Sequence, residues 1–140
     1  MKKSSFIFLI FAAASLFAVH AQAQVVIIAN NSVRDTSASK ADIRDVFMGA
    51  SSNLKSGSHV VPILLKGGAA HVEFLVLFIG RSDAGFQSNW KSQVFSGQCS
   101  MPRSVDSEKA MVEYVESTPG AVGYVLKTTP HDGVKTLTIQ

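Results

Sequence analysis

Few residues of this chain are of a type and spacing to do chemistry. Its four histidines, His20, His59, His71 and His131, lie far apart, with no pair at the spacing of a zinc site, so no metal centre is expected. Cys99 is the single cysteine, and Phe95-Ser96-Gly97-Gln98-Cys99-Ser100-Met101-Pro102 places neither a histidine nor a helix start beside it to lower its pKa. It reads as a partly buried filler, and a hydrolase built on Cys99 or Ser96 ranks last. Ser56-Gly57 and Ser96-Gly97 lack the strand-to-helix elbow a nucleophilic serine needs. Asp42, Asp45, Glu108, Glu113 and Glu116 form no acid/base pair and read as solvated helix faces. No catalytic residue and no cofactor is expected.

One stretch does carry chemistry. Lys66-Gly67-Gly68-Ala69-Ala70-His71 stands between an apolar strand-like run and a helix-like run. A helix start offers free N–H groups and about half a positive charge, and glycines let an anion approach the backbone. Lys66, Gly67, Gly68, Ala69, Ala70 and His71 are therefore the candidate ligand residues, for a small anion. The same residues equally suit a connector that only turns the chain.

The elements that would position this junction follow from pattern. Val25–Ala29 is a buried strand, and Ser39 with Asp42 three residues later opens a helix whose inner face is Ile43, Val46 and Phe47, ended by Gly49. Residues 59–65 form a second strand, with Pro62 marking an edge or a bulge. The apolar run of residues 72–79, between Gly67-Gly68 and Gly80, is expected to be a buried helix. Ser82-Asp83 caps a third helix with Phe86, Trp90 and Val94 on one stripe, and Ser107 leads a fourth with Met111, Tyr114 and Val115 inward. Strands 122–126 and 134–139 close the chain around Pro130-His131-Asp132-Gly133. The order predicts a three-layer α/β fold with a core on Phe47, Phe74, Phe78, Trp90 and Tyr124.

The bounds agree. At 140 residues, with 46% hydrophobic and 16% charged, the chain holds one domain and is not a disordered tail. Lys2 and Lys3, the apolar stretch 6–19 and Ala21-Gln22-Ala23 read as a signal peptide over residues 1–23, leaving a domain over 24–140. Losing those two lysines reduces 13 basic residues to 11 against 10 acidic, too little excess to favour nucleic acid or an anionic membrane. No cysteine follows the cut, so no lipid anchor is expected, and Cys99 alone permits no intrachain disulfide. The expectation is a periplasmic or secreted monomer without a membrane insertion.

Three stretches together resemble a known family: Ser39 to Gly49, with its Ile-Arg-Asp-Val-Phe-Met-Gly ending; Trp90 with Phe95-Ser96-Gly97 and Pro102; and Val115-Glu116-Ser117-Thr118-Pro119-Gly120-Ala121-Val122-Gly123-Tyr124-Val125. They resemble the small periplasmic binding protein-like family of phosphate ABC transporter substrate-binding proteins, over nearly all of 24–140. The resemblance implies a single lobe of a type II periplasmic binding protein-like fold, not an enzyme, with phosphate or a similar oxyanion as ligand and an ABC permease or another envelope protein as partner. It departs at the junction, where relatives carry an Arg-x-Asp-x-Ser-Gly-Thr-like segment and this chain has Lys66 to His71. The alternative reading is an interaction module that keeps the fold, has lost the ligand and serves an envelope or membrane partner.

Overall fold

A computed structural model describes residues 24–140; the leader read over 1–23 lies outside them. The elements, in order, are β1 (Val25–Ala29), β2 (Ser37–Ala38), α1 (Lys40–Phe47), β3 (Val61–Pro62), β4 (Leu64–Leu65), α2 (Ala69–Phe74) running on into a π-helical turn (Leu75–Ile79), α3 (Asp83–Phe95), β5 (Ser104–Val105), α4 (Glu108–Ser117), β6 (Ala121–Leu126) and β7 (Lys135–Ile139). The main sheet has the order β2-β7-β1-β6-β3, and β4 pairs with β5 in a separate two-stranded ladder.

β1 and β6 are antiparallel, with Ile27 opposite Tyr124 and Ile28 opposite Gly123. Successive residues of a strand face opposite sides, so the layers follow from these two pairs. Tyr124 faces α1 and α2: its ring lies 3.9 Å from that of Phe74 at 6°, and Phe47 meets Phe74 edge-on at 4.8 Å. Gly123 faces α4, so closely that a Cβ there would sit 2.4 Å from Met111 Sδ. Helices thus cover both faces of the sheet, the three-layer arrangement expected from element order. Phe47, Phe74, Phe78, Trp90 and Tyr124 are all buried, as the apolar pattern indicated.

Five expectations change. The strand expected over 59–65 is two: β3 joins β6 at the sheet edge, where Pro62 needs no ladder partner for its missing N–H, and β4 leaves the sheet to pair with β5. The helix of residues 69–79 is buried on one side only, with Val72, Val76 and Leu77 exposed. Val94, one turn beyond the buried Phe86 and Trp90, is exposed, and Tyr114 is half-buried under the Arg103 guanidinium, 4.8 Å from the ring centroid. Glu108 is no solvation residue, since its Oε1 accepts from the Leu126 N–H at 2.6 Å and the Thr129 hydroxyl at 2.8 Å, tying α4 to the end of β6.

Asn30, which the sequence marked only as turn-prone, is buried and closes α4. Its amide donates to Val115 O at 2.8 Å and Glu116 O at 2.9 Å, two of the carbonyls a helix end leaves unpaired.

Candidate functional site

The junction named from sequence lies where β4 ends and α2 begins, and local physics leaves its backbone open. α1, α3 and α4 each start at a serine whose hydroxyl accepts an N–H of the first turn. α2 starts at Gly68, which has no side chain to do so. Gly68 sits at φ 92°, ψ 175°, a region open to glycine and very costly to any residue with a Cβ. Among the described residues the N–H groups of Gly67, Gly68, Ala69, Ala70 and His71 have no acceptor within the protein. Gly67, Gly68 and Ala69 are exposed, whereas Ala70 and His71 are buried, at 1% and 2%.

Lys66 is also here, exposed, with Nζ 2.9 Å from Asp106 Oδ1 across the β4–β5 ladder. Both side chains are more than half exposed, so the pair is weak and the ammonium can turn to another anion.

The His71 side chain has a different part. Its ring is buried and bonded at both nitrogens: Nδ1 lies 2.6 Å from Tyr124 Oη, and Nε2 lies 2.8 Å from Asp83 Oδ1. Tyr124 Oη also accepts the Leu65 N–H at 2.9 Å. Of the six candidates, Lys66 and the backbone of Gly67–Ala70 line the open side of the junction, whereas the His71 imidazole faces inward as support. Burial pushes the Tyr124 phenol well above the usual tyrosine range; the Leu65 N–H opposes this and the Asp83 charge adds to it. The phenol therefore stays protonated at any ordinary pH.

Asp83, which the sequence assigned only to a helix start, is the residue that joins this network from α3. Its carboxylate is 56% exposed, and no local spacing signals its bond to a histidine twelve residues away. The remaining chemistry-bearing residues stay apart. His59 and Cys99 line a cavity of about 670 Å³ with Trp90, Met101 and Arg103, and a cavity of about 730 Å³ lies by Gln24, Glu73, Leu77 and Ile139. Neither is lined by any residue of 66–71, of which Lys66 to Ala69 are exposed to solvent. Cys99 is half-buried and its thiol donates to Gln93 Oε1 at 3.5 Å. Among the described residues no cluster of three potential metal ligands occurs and no helix is long and apolar enough to cross a membrane.

No protein-family model matches the sequence, and no curated protein matches it. Solved structures do. A Clostridium perfringens protein assigned as a phosphate ABC transporter substrate-binding protein, solved with bound phosphate, superposes with TM-score 0.63 at 14% identity, over 82% of this chain and 44% of that one. PstS of Borrelia burgdorferi gives TM-score 0.62 at 14% identity, over 83% and 47%. An ABC-type phosphate transport receptor of Vibrio cholerae gives 0.55 at 12%, over 82% and 45%. The fold is that of one periplasmic binding protein lobe. At such identities the likeness establishes fold and nothing finer, and this chain spans less than half the length of the solid matches. The periplasmic binding protein-like lobe is therefore what the sequence resemblance led one to expect.

Proposed function

We propose that the chain is an exported solute-binding lobe that takes a small oxyanion, phosphate foremost, on the Lys66–Ala70 loop, as part of ABC-type uptake or sensing. The observation that carries this reading is the run of five N–H groups, Gly67 to His71, without an acceptor among the described residues, beside the ammonium of Lys66. The fold shared with proteins named for phosphate transport supports it. In this reading the exported form starts at Gln24 and works outside the cytoplasm. Only one side of the ligand is wrapped, so electrostatics stay screened by water and binding by a monomer is roughly millimolar, about 4 kcal/mol. Titrating phosphate and sulfate into the ¹⁵N-labelled protein should move the amides of 66–71. Micromolar binding by a monomer, or shifts confined to other residues, would overturn the placement.

One observation favours the interaction-module reading. Phe95 is 96% exposed, and with Val94, Met101 and the stem of Lys91 it makes an apolar surface at the end of α3. An envelope protein is the partner this reading implies. Silence of every amide at high anion concentration would select it.

A further inference from the structure

We infer that Asp83, His71 and Tyr124 are positioning residues for the Lys66–Ala70 loop, stapling both of its ends to one hydroxyl through a single imidazole tautomer. The inference deepens the anion-loop reading above and rests on it for the ligand, though not for the geometry.

The loop is five residues long and is flanked by Leu65 and His71. Tyr124 Oη bonds both flanks, accepting the Leu65 N–H at 2.9 Å and reaching His71 Nδ1 at 2.6 Å. One side chain from β6, an interior strand of the sheet, thus sets the distance between the two ends of the loop, and with it the direction of the N–H groups between them.

Only one proton arrangement satisfies every atom. The phenol keeps its proton, and since Oη already receives the Leu65 N–H, the hydroxyl must donate to its other partner, His71 Nδ1. Nδ1 is then the bare nitrogen and Nε2 carries the hydrogen, which it donates to Asp83 Oδ1. In the other tautomer, or in the imidazolium, Nδ1–H would point at a hydroxyl whose own proton then has no acceptor. Asp83 Oδ1, as the acceptor facing Nε2, selects the right tautomer from the far side of the ring. The titratable groups bonded to the imidazole are these two, Tyr124 from β6 and Asp83 from α3, and the Phe86 ring, 6.3 Å from it by centroids, flanks it without charge.

The test is nitrogen NMR of the labelled protein. At neutral pH, His71 should show a bare, pyridine-like Nδ1 and a protonated Nε2. Asp83→Ala should move the amides of Gly67–Ala70 and weaken inorganic phosphate roughly three- to tenfold, the scale of one hydrogen bond. Asp83→Asn, which keeps an Oδ1 acceptor, should restore most of both; a carboxylate that merely helped α3 to start would not show that rescue together with the tautomer signature. A proton on Nδ1 in the wild-type protein, or loop amides that ignore Asp83→Ala, would overturn the inference. The wild-type tautomer needs no variant, so a misfolding substitution does not shield it. If tautomer and loop shifts come out as expected while phosphate moves no wild-type amide, the staple stands and the anion reading falls.

Discussion

Helices α1 and α2 both start where an extended segment ends, yet they treat their first-turn donors in opposite ways. At α1 the Ser39 hydroxyl accepts the Asp42 N–H at 3.0 Å and the Asp42 carboxylate accepts the Ser39 N–H at 3.1 Å. The end is closed by its own side chains. At α2 the cap is Gly68, and the donors find no acceptor among the described residues. What α1 gains from local sequence, α2 obtains from afar, through a tyrosine 53 residues from His71. The difference teaches that an N-terminus available to a ligand must be held by something other than its own capping residues, because a cap occupies the donors the ligand would use.

Four predictions test that contrast, in order of size. The largest effect belongs to the core on which both helices rest. Trp90 is buried and its Nε1 donates to Phe47 O, the last residue of α1, at 3.0 Å. Trp90→Ala should cost about 3–5 kcal/mol in chemical denaturation, and wild-type Trp90 fluorescence resembling free indole in water would contradict its burial.

The remote support comes next. Tyr124→Phe removes the hydroxyl but keeps the ring on Phe74, leaving the Leu65 N–H unpaired at a buried site. It should cost about 1–3 kcal/mol and speed amide exchange at Leu65. A loss below a few tenths of a kcal/mol would mean that the loop does not depend on the staple.

The third is a pair at the loop itself. Space around Gly67 and Gly68 is equally empty, with nothing within 4 Å of an added Cβ, but only Gly68 has a positive φ. Gly68→Ala should therefore cost about 1–3 kcal/mol through backbone strain, while Gly67→Ala should be neutral or stabilise by up to about 1 kcal/mol. Equal effects at the two positions would show that the loop is not held in this conformation.

The smallest concerns the closed end. Ser39→Ala should cost about 1 kcal/mol at neutral pH. The Ser39 N–H bonded to the Asp42 carboxylate outweighs the opposing effect of burial and, with the Ser39 side chain and Lys55 adding to it, holds the Asp42 pKa below the usual range. A depressed folded-state pKa gives stability that is present above the unfolded carboxylate range and lost as pH falls through the folded value. The gap between wild type and Asp42→Ala should accordingly narrow below the ordinary carboxylate range; a gap independent of pH there would show that the carboxylate charge plays no part.

Much of the fold is legible in the residues because its signals are local. Ser39 with Asp42, Ser82 and Ser107 mark helix starts within a single turn, and β-branched runs mark β1 and β7. Elements whose partners are remote are less legible. β2 and β5 are two residues each and exist only because β7 and β4 run beside them. β4 leaves the main sheet because Leu64 N–H finds Arg103 O, 39 positions away, at 2.9 Å. The helix of residues 72–79 has the composition of a buried element, but which side is covered depends on what packs there, and Val76 is left 72% exposed.

The candidate site divides along the same line. The amino-acid order by itself determined the glycine-led helix start, the lysine before it and the absence of a capping side chain, since these are properties of adjacent residues. Only the tertiary structure decided that His71 faces inward, that Tyr124 joins Leu65 to His71, and that an exposed aspartate at the head of α3 completes the chain. Hydrogen bonds of 2.6–2.9 Å form between whichever groups packing brings together. Residues 12, 53 and 59 positions apart acquire such a relation only when the sheet and the helices around it are assembled.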